Sequence, residues 1–172
     1  TVGDMKSHDE NGNRVNPITP GVTGIAGNLT INGGTYMAIG SSCIYVTKGT
    51  CTINDGIFFS QLSNQKTTVP EEIEKYGFEY RNFLLNIFDS FGNVGDAKIV
   101  VNGGTFIGFD PAYNFAEYDG KTPTNFVSVG HKSVENGEYT YMIKDINNPD
   151  NGKLVTVKVY TVVPSSDERE GI

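Results

Sequence analysis

The sequence predicts an all-β chain whose larger part winds as a coil of short parallel strands. Three observations carry that expectation. One eight-residue motif occurs three times in the same phase. Each copy contains an Asn-Gly or Asp-Gly step, where φ > 0 is accepted at low cost. A pair of alternating segments follows the last copy and reads as an antiparallel hairpin. Composition agrees: 21 Gly and 17 Asn beside abundant Val, Ile, Thr, Phe and Tyr favour many strands and tight turns over helices. A length of 172 residues suits one domain with a real core.

Residues 1–20 are polar and aperiodic, and are expected to be a linker or the end of an upstream region. The chain opens on Thr1 without a leader-like stretch, which suggests a processed chain or a piece of a longer one. The coil is assigned to residues 21–112. Leu29-Thr30-Ile31-Asn32-Gly33-Gly34-Thr35-Tyr36 recurs as Cys51-Thr52-Ile53-Asn54-Asp55-Gly56-Ile57-Phe58 and as Ile99-Val100-Val101-Asn102-Gly103-Gly104-Thr105-Phe106. The copies begin 22 and then 48 residues apart. Period-2 alternation sets Leu29, Cys51 and Ile99 on one face, with Ile31, Ile53 and Val101 on the same face two residues later. A meander reverses direction at each strand and keeps no fixed phase. The same bend in the same phase suits strands that stack one spacing apart, about 4.8 Å. Asn32, Asn54 and Asn102 then form an amide ladder, and Tyr36, Phe58 and Phe106 an aromatic column.

The wider gap is explained by an insertion at about 61–81, whose Pro70-Glu71-Glu72-Ile73-Glu74-Lys75-Tyr76 reads as a short helix. Residues 113–164 read as a loop plus a β-hairpin cap, with strands at Tyr139–Lys144 and Leu154–Tyr160 around Asn147–Gly152. Such a cap covers open strand edges and an exposed core. Residues 165–172 form a charged tail.

Thirteen basic against 20 acidic residues give a net charge of −7. An acidic chain without a basic block is a poor partner for nucleic acid or an anionic membrane. Its longest apolar runs, such as Ile99-Val100-Val101, are too short to span a bilayer. Two cysteines, Cys43 and Cys51, exclude a disulfide framework and a four-cysteine zinc site. They read as free buried thiols, a single bridge being the alternative. His8 and His131 form no metal-ligand spacing, and neither a metal nor a cofactor is expected.

With these residues in view, the chain resembles a right-handed parallel β-helix of the pectate-lyase-like superfamily. It is most similar to modules of bacteriophage virion fibre and tailspike proteins, notably of phages infecting gut Bacteroides-type bacteria. The motif runs Ile99-Val100-Val101-Asn102-Gly103-Gly104-Thr105-Phe106-Ile107-Gly108-Phe109-Asp110-Pro111-Ala112. Asn125-Phe126-Val127-Ser128-Val129-Gly130-His131-Lys132-Ser133-Val134 follows, and then a closing Tyr160-Thr161-Val162-Val163. The resemblance spans about residues 25–164. It implies a short helix of three to four coils, a homo-oligomer with a trimer favoured, contact with other virion proteins, and a place on the virion surface. Asp55 and the 61–81 insertion depart from the pattern. A bacterial surface or secreted adhesin is the alternative of identical architecture.

The function expected is a non-catalytic structural and binding module whose loops meet host-surface polysaccharide. Two aromatic clusters suit a sugar platform. Tyr76, Tyr80 and Arg81, with Phe78, lie in the insertion; Tyr113 and Tyr118, with Phe115, lie in the following loop. The alternative is a polysaccharide lyase or glycoside hydrolase. A hydrolase needs two carboxyls either about 5–5.5 Å or about 6.5–9.5 Å apart. Asp55, Asp89, Asp96, Asp110, Glu117 and Asp119 are the candidate acids, and most sit where turns use Asp for backbone reasons. A lyase needs a basic residue beside Ca²⁺-binding acids. Of the three arginines, Arg14, Arg81 and Arg169, only Arg81 is placed to serve. No Asp recurs at equivalent positions on successive coils, so the sequence shows no acidic ladder for Ca²⁺; no catalytic residue is assigned.

Overall fold

The apolar-polar alternation of the repeat places one row of each copy in a common core. A computed structural model describes residues 27–39, 42–61, 84–87, 89–90, 93–94, 97–114, 123–144 and 152–166, and these are mostly strand. The first copy lies in β1 (Gly27–Ile39) and the second in β3 (Gly49–Gln61). The third is split at Asn102-Gly103 into β7 (Ala97–Val101) and β8 (Gly104–Ile107). β3 lies between the other two copies, parallel to both. Leu29 pairs with Cys51 and Cys51 with Ile99; Ile31 pairs with Ile53 and Ile53 with Val101; Tyr36 pairs with Phe58 and Phe58 with Phe106. Ile31, Cys51, Ile53, Ile99, Val101, Phe58 and Phe106 are buried in one cluster.

The two stacks at the bend are a direct consequence of this translation. Asn102 Nδ2 donates to Asn54 Oδ1 at 2.9 Å, and Asn54 Nδ2 donates to Asn32 Oδ1 at 2.7 Å. The rings of Tyr36, Phe58 and Phe106 repeat at 5.0 Å with interplanar angles of 8°. That spacing is close to the distance between strands, so the backbone ladder sets it. Asp55 replaces a Gly without breaking the bend, because its carboxylate accepts from the amide of Gly56 at 2.8 Å. Gly49 has φ +88° and lies so close to Gly27 that a Cβ there would overlap the Gly27 carbonyl oxygen.

A second, small sheet faces the first. β2 (Ile44–Val46) pairs in parallel with β4 (Leu85–Ile87), and Ile44, Val46, Leu85 and Ile87 enter the same core. β5 (Asp89–Ser90) and β6 (Asn93–Val94) form a minimal antiparallel pair. The chain then returns as β9 (His131–Lys144) and β10 (Gly152–Pro164), a long antiparallel hairpin. β10 also pairs antiparallel with β8, matching Tyr160 to Phe106 and Thr161 to Thr105. The main sheet therefore runs β1-β3-β8-β10-β9, with β7 alongside β3.

This arrangement corrects the predicted fold. A short right-handed parallel β-helix of three to four coils is not shown: among the described residues the main sheet is mixed, and no sheet closes or winds as a solenoid. The parallel stacking of the three copies is local to β1, β3, β7 and β8. Two physical reasons explain the difference. β10 alternates so that Tyr160 and Val162 continue the buried face beside Phe106 and Gly104, so the hairpin joins the sheet edge-on. The facing sheet contains only three-residue strands among the described residues. The expected short helix and the body of the 61–81 insertion lie outside the described residues.

Candidate functional site

Two places concentrate side chains able to do more than pack. The first is a polar junction where the last repeat meets the segment leading to the hairpin. Asp110 ends the run after β8 and is buried, with 4% exposure. Its Oδ1 accepts from the amide of Ala112 at 2.9 Å, and its carbonyl accepts from the amide of Tyr113 at 3.2 Å. Asn114, also buried, exchanges backbone hydrogen bonds with Thr124, and its Nδ2 donates to the carbonyls of Asp110 (3.3 Å) and Thr124 (3.1 Å). The chain beyond is laid against β7. The amide of Val101 donates to the carbonyl of Phe126, and that of Ser128 to the carbonyl of Val101, both at 2.9 Å.

Tyr160 lies at this junction with 3% exposure. Burial pushes its phenol well above the usual value, and the carboxylates of Asp110 and Glu135 push the same way. Tyr160 is thus held neutral, the opposite of an activated phenolate. With Asp110 and Asn114 inaccessible, the junction works as a fastening between repeat and hairpin.

The second place is an aromatic ledge on the opposite face of the sheet. Past the bend in β3, Phe58 points into the core and Phe59, the next residue, points out. Tyr139 and Tyr141 stand two apart on β9 and therefore on one face. They stack at 6.0 Å and 28°. Phe59 meets both edge-on, at 5.4 Å and 69° for Tyr139 and 5.1 Å and 87° for Tyr141. Ile107, Val155 and Val157 pack with Tyr141 beneath. Tyr139 remains 43% exposed, and Met37, paired in register with Phe59, is 68% exposed. The Tyr141 hydroxyl is buried, so the surface offered is the exposed ring and phenol of Tyr139 backed by the other two rings, which suits the C–H face and a hydroxyl of a sugar.

The residues expected from sequence are distributed differently. Tyr113 is half-buried on the turn that Asp110 opens. Tyr76, Tyr80, Arg81 and Tyr118 lie outside the described residues. Among the acids, Asp55 caps its own bend and Asp110 its own turn, as turn residues do. Asp96, Glu117 and Asp119 lie outside the described residues, as does the side chain of Asp89. Among the described residues, no three His, Cys, Asp or Glu side chains converge as a metal site. Cys43 and Cys51 are both free thiols. Burial raises the thiol of Cys43, partly offset by backbone hydrogen bonds at Phe59 and Ala38, and burial likewise raises that of Cys51. The ledge was not foreseen. Its signal was the Tyr-x-Tyr spacing on β9, but Phe59 joins only through the tertiary fold. Comparison with family models, with curated proteins and with solved structures finds no match to this chain.

Proposed function

We propose that this chain is a non-catalytic structural and binding module of a virion fibre, head-fibre or tailspike-like protein, associating with copies of itself and offering aromatic surface to host-surface glycans. The observation that carries the reading is the ledge of Phe59, Tyr139 and Tyr141, with Tyr139 43% exposed where the hairpin strand β9 meets Phe59 of the stacked strand β3. Sugar recognition by ring stacking needs this kind of flat face on a rigid support.

The test is retention of the intact chain on immobilised bacterial surface polysaccharides, with 235 nm absorbance and reducing ends followed in parallel. Binding without product is the expected result. Tyr139→Ala should weaken it about threefold to tenfold, or about 0.6–1.4 kcal/mol. New unsaturated or reducing ends would overturn the reading in favour of a lyase or hydrolase. Equal retention of Tyr139→Ala would remove the ledge from it.

A further inference from the structure

Strand β1 ends the main sheet among the described residues, and it looks like a rung whose neighbour is missing. Three core-face positions compare directly with those of the next rung. Cys51 and Phe58 are fully buried and Ser60 is 3% exposed, while their register partners Leu29, Tyr36 and Ala38 are each only half-buried. The amide ladder stops in the same place: Asn32 accepts from Asn54, and no further rung continues the ladder among the described residues. Alternate residues of a terminal strand also turn N–H and C=O away from the sheet. Exposed edges are ordinarily protected by Lys, Pro or short length. β1 is 13 residues long with no charged residue and no Pro, in a chain of net charge −7.

We infer that the edge of β1, unpaired among the described residues, pairs with β1 of a second copy of this chain, antiparallel, about a two-fold axis. Charge argues for this occupant, since two acidic chains approach with least repulsion where neither carries a charge. The far end of the stack argues for the symmetry. There β10 covers β8 and the 126–128 segment covers β7, so head-to-tail stacking of copies is closed off. β1 also has two arms of nearly equal length on either side of its Gly33-Gly34 bend. A two-fold axis between those glycines places bend over bend and core face over core face. Ile31 then lies opposite Tyr36 of the second copy, Leu29 opposite Ala38, Asn32 opposite Thr35, and Thr30 opposite Met37. Asn32 and the Thr35 hydroxyl of the second copy, a donor and an acceptor, then lie side by side. The pairing gives a dimer in place of the trimer implied by the fibre resemblance, and it does not depend on glycan binding.

Two measurements test it with the full chain. Light scattering should give the mass of two chains, and Met37→Lys should raise the dimer dissociation constant at least tenfold. Thr30→Cys and Met37→Cys, made as separate variants, should form a disulfide-linked dimer when mixed under mild oxidation, and far less when each is oxidised alone. Peptide mapping locates the bridge between the introduced thiols. Both side chains are exposed, so circular dichroism should show the fold unchanged. A monomeric mass would overturn the proposal, as would be found if the segment before Gly27 occupied the edge. So would a trimer, or equal cross-linking of the mixture and of either variant alone.

Discussion

The repeat stack and the hairpin solve the problem of strand pairing in opposite ways. In the stack, each rung repeats the one before, so like meets like: Asn over Asn, ring over ring, aliphatic over aliphatic. Order there is set by translation, and a change in one rung is felt by two neighbours. In the hairpin, cross-strand partners differ, and only part of its length is supported. Near Tyr160 it shares the main core. Toward its tip Met142 and Leu154 face each other across the strands, 49% and 66% exposed. Stability is expected to be concentrated in the stack and to thin out toward the hairpin tip.

The contrast can be broken most severely at the middle ring. Phe58→Ala removes the element that Tyr36 and Phe106 both stack on, and should cost about 3–5 kcal/mol in urea unfolding. Gly49→Ala comes next. It drives a methyl into the Gly27 carbonyl at positive φ and should cost more than about 1 kcal/mol while parting the first two rungs. Asn54→Ala takes out both hydrogen bonds of the amide ladder at an exposed position, and about 1 kcal/mol is expected. A loss below the error of the titration would show the ladder to be a consequence of register and not a cause.

Alkaline titration sharpens the hairpin side. The folded pKa of Tyr160 is raised above its ordinary value of 10.0, so its contribution is complete below that pH and is lost as pH rises beyond it. Thermal unfolding should therefore weaken above about pH 10, and Tyr160→Phe should move that fall to higher pH. The raised thiols of Cys43 and Cys51 act in the same direction from about their ordinary 9.0. The smallest effect belongs to the tip, where Leu154→Ala should change stability by less than about 0.5 kcal/mol. A cost comparable with that of Phe58→Ala would mean that the hairpin tip is covered in solution.

Much of the stack was legible before any coordinates. The phase of Leu29, Cys51 and Ile99 and the recurrence of Asn-Gly before an aromatic were enough to set register, because a one-residue slip would turn every apolar side chain outward. The part of the hairpin nearest its tip was legible from its alternation, but β9 begins at His131, eight residues before the strand the alternation predicts. The way the two meet was not. Nothing in the spacing of Tyr160 and Val162 says that they pair with β8 in the antiparallel sense, and this one choice makes the sheet mixed. The ledge was hidden for a related reason. Alternation assigns Phe59 and Tyr139 to outward faces without saying that those faces coincide.

By itself, the sequence determined the local order: which residues extend, where they bend, and which repeats lie over one another. Those features follow from backbone stereochemistry and a period of two, both written in consecutive residues. The tertiary structure alone decided how the stack ends, where β10 attaches, and which aromatics are brought together outside the core. Those outcomes depend on competition between distant edges for the same hydrogen bonds and the same buried area. A linear pattern does not encode the winner of that competition.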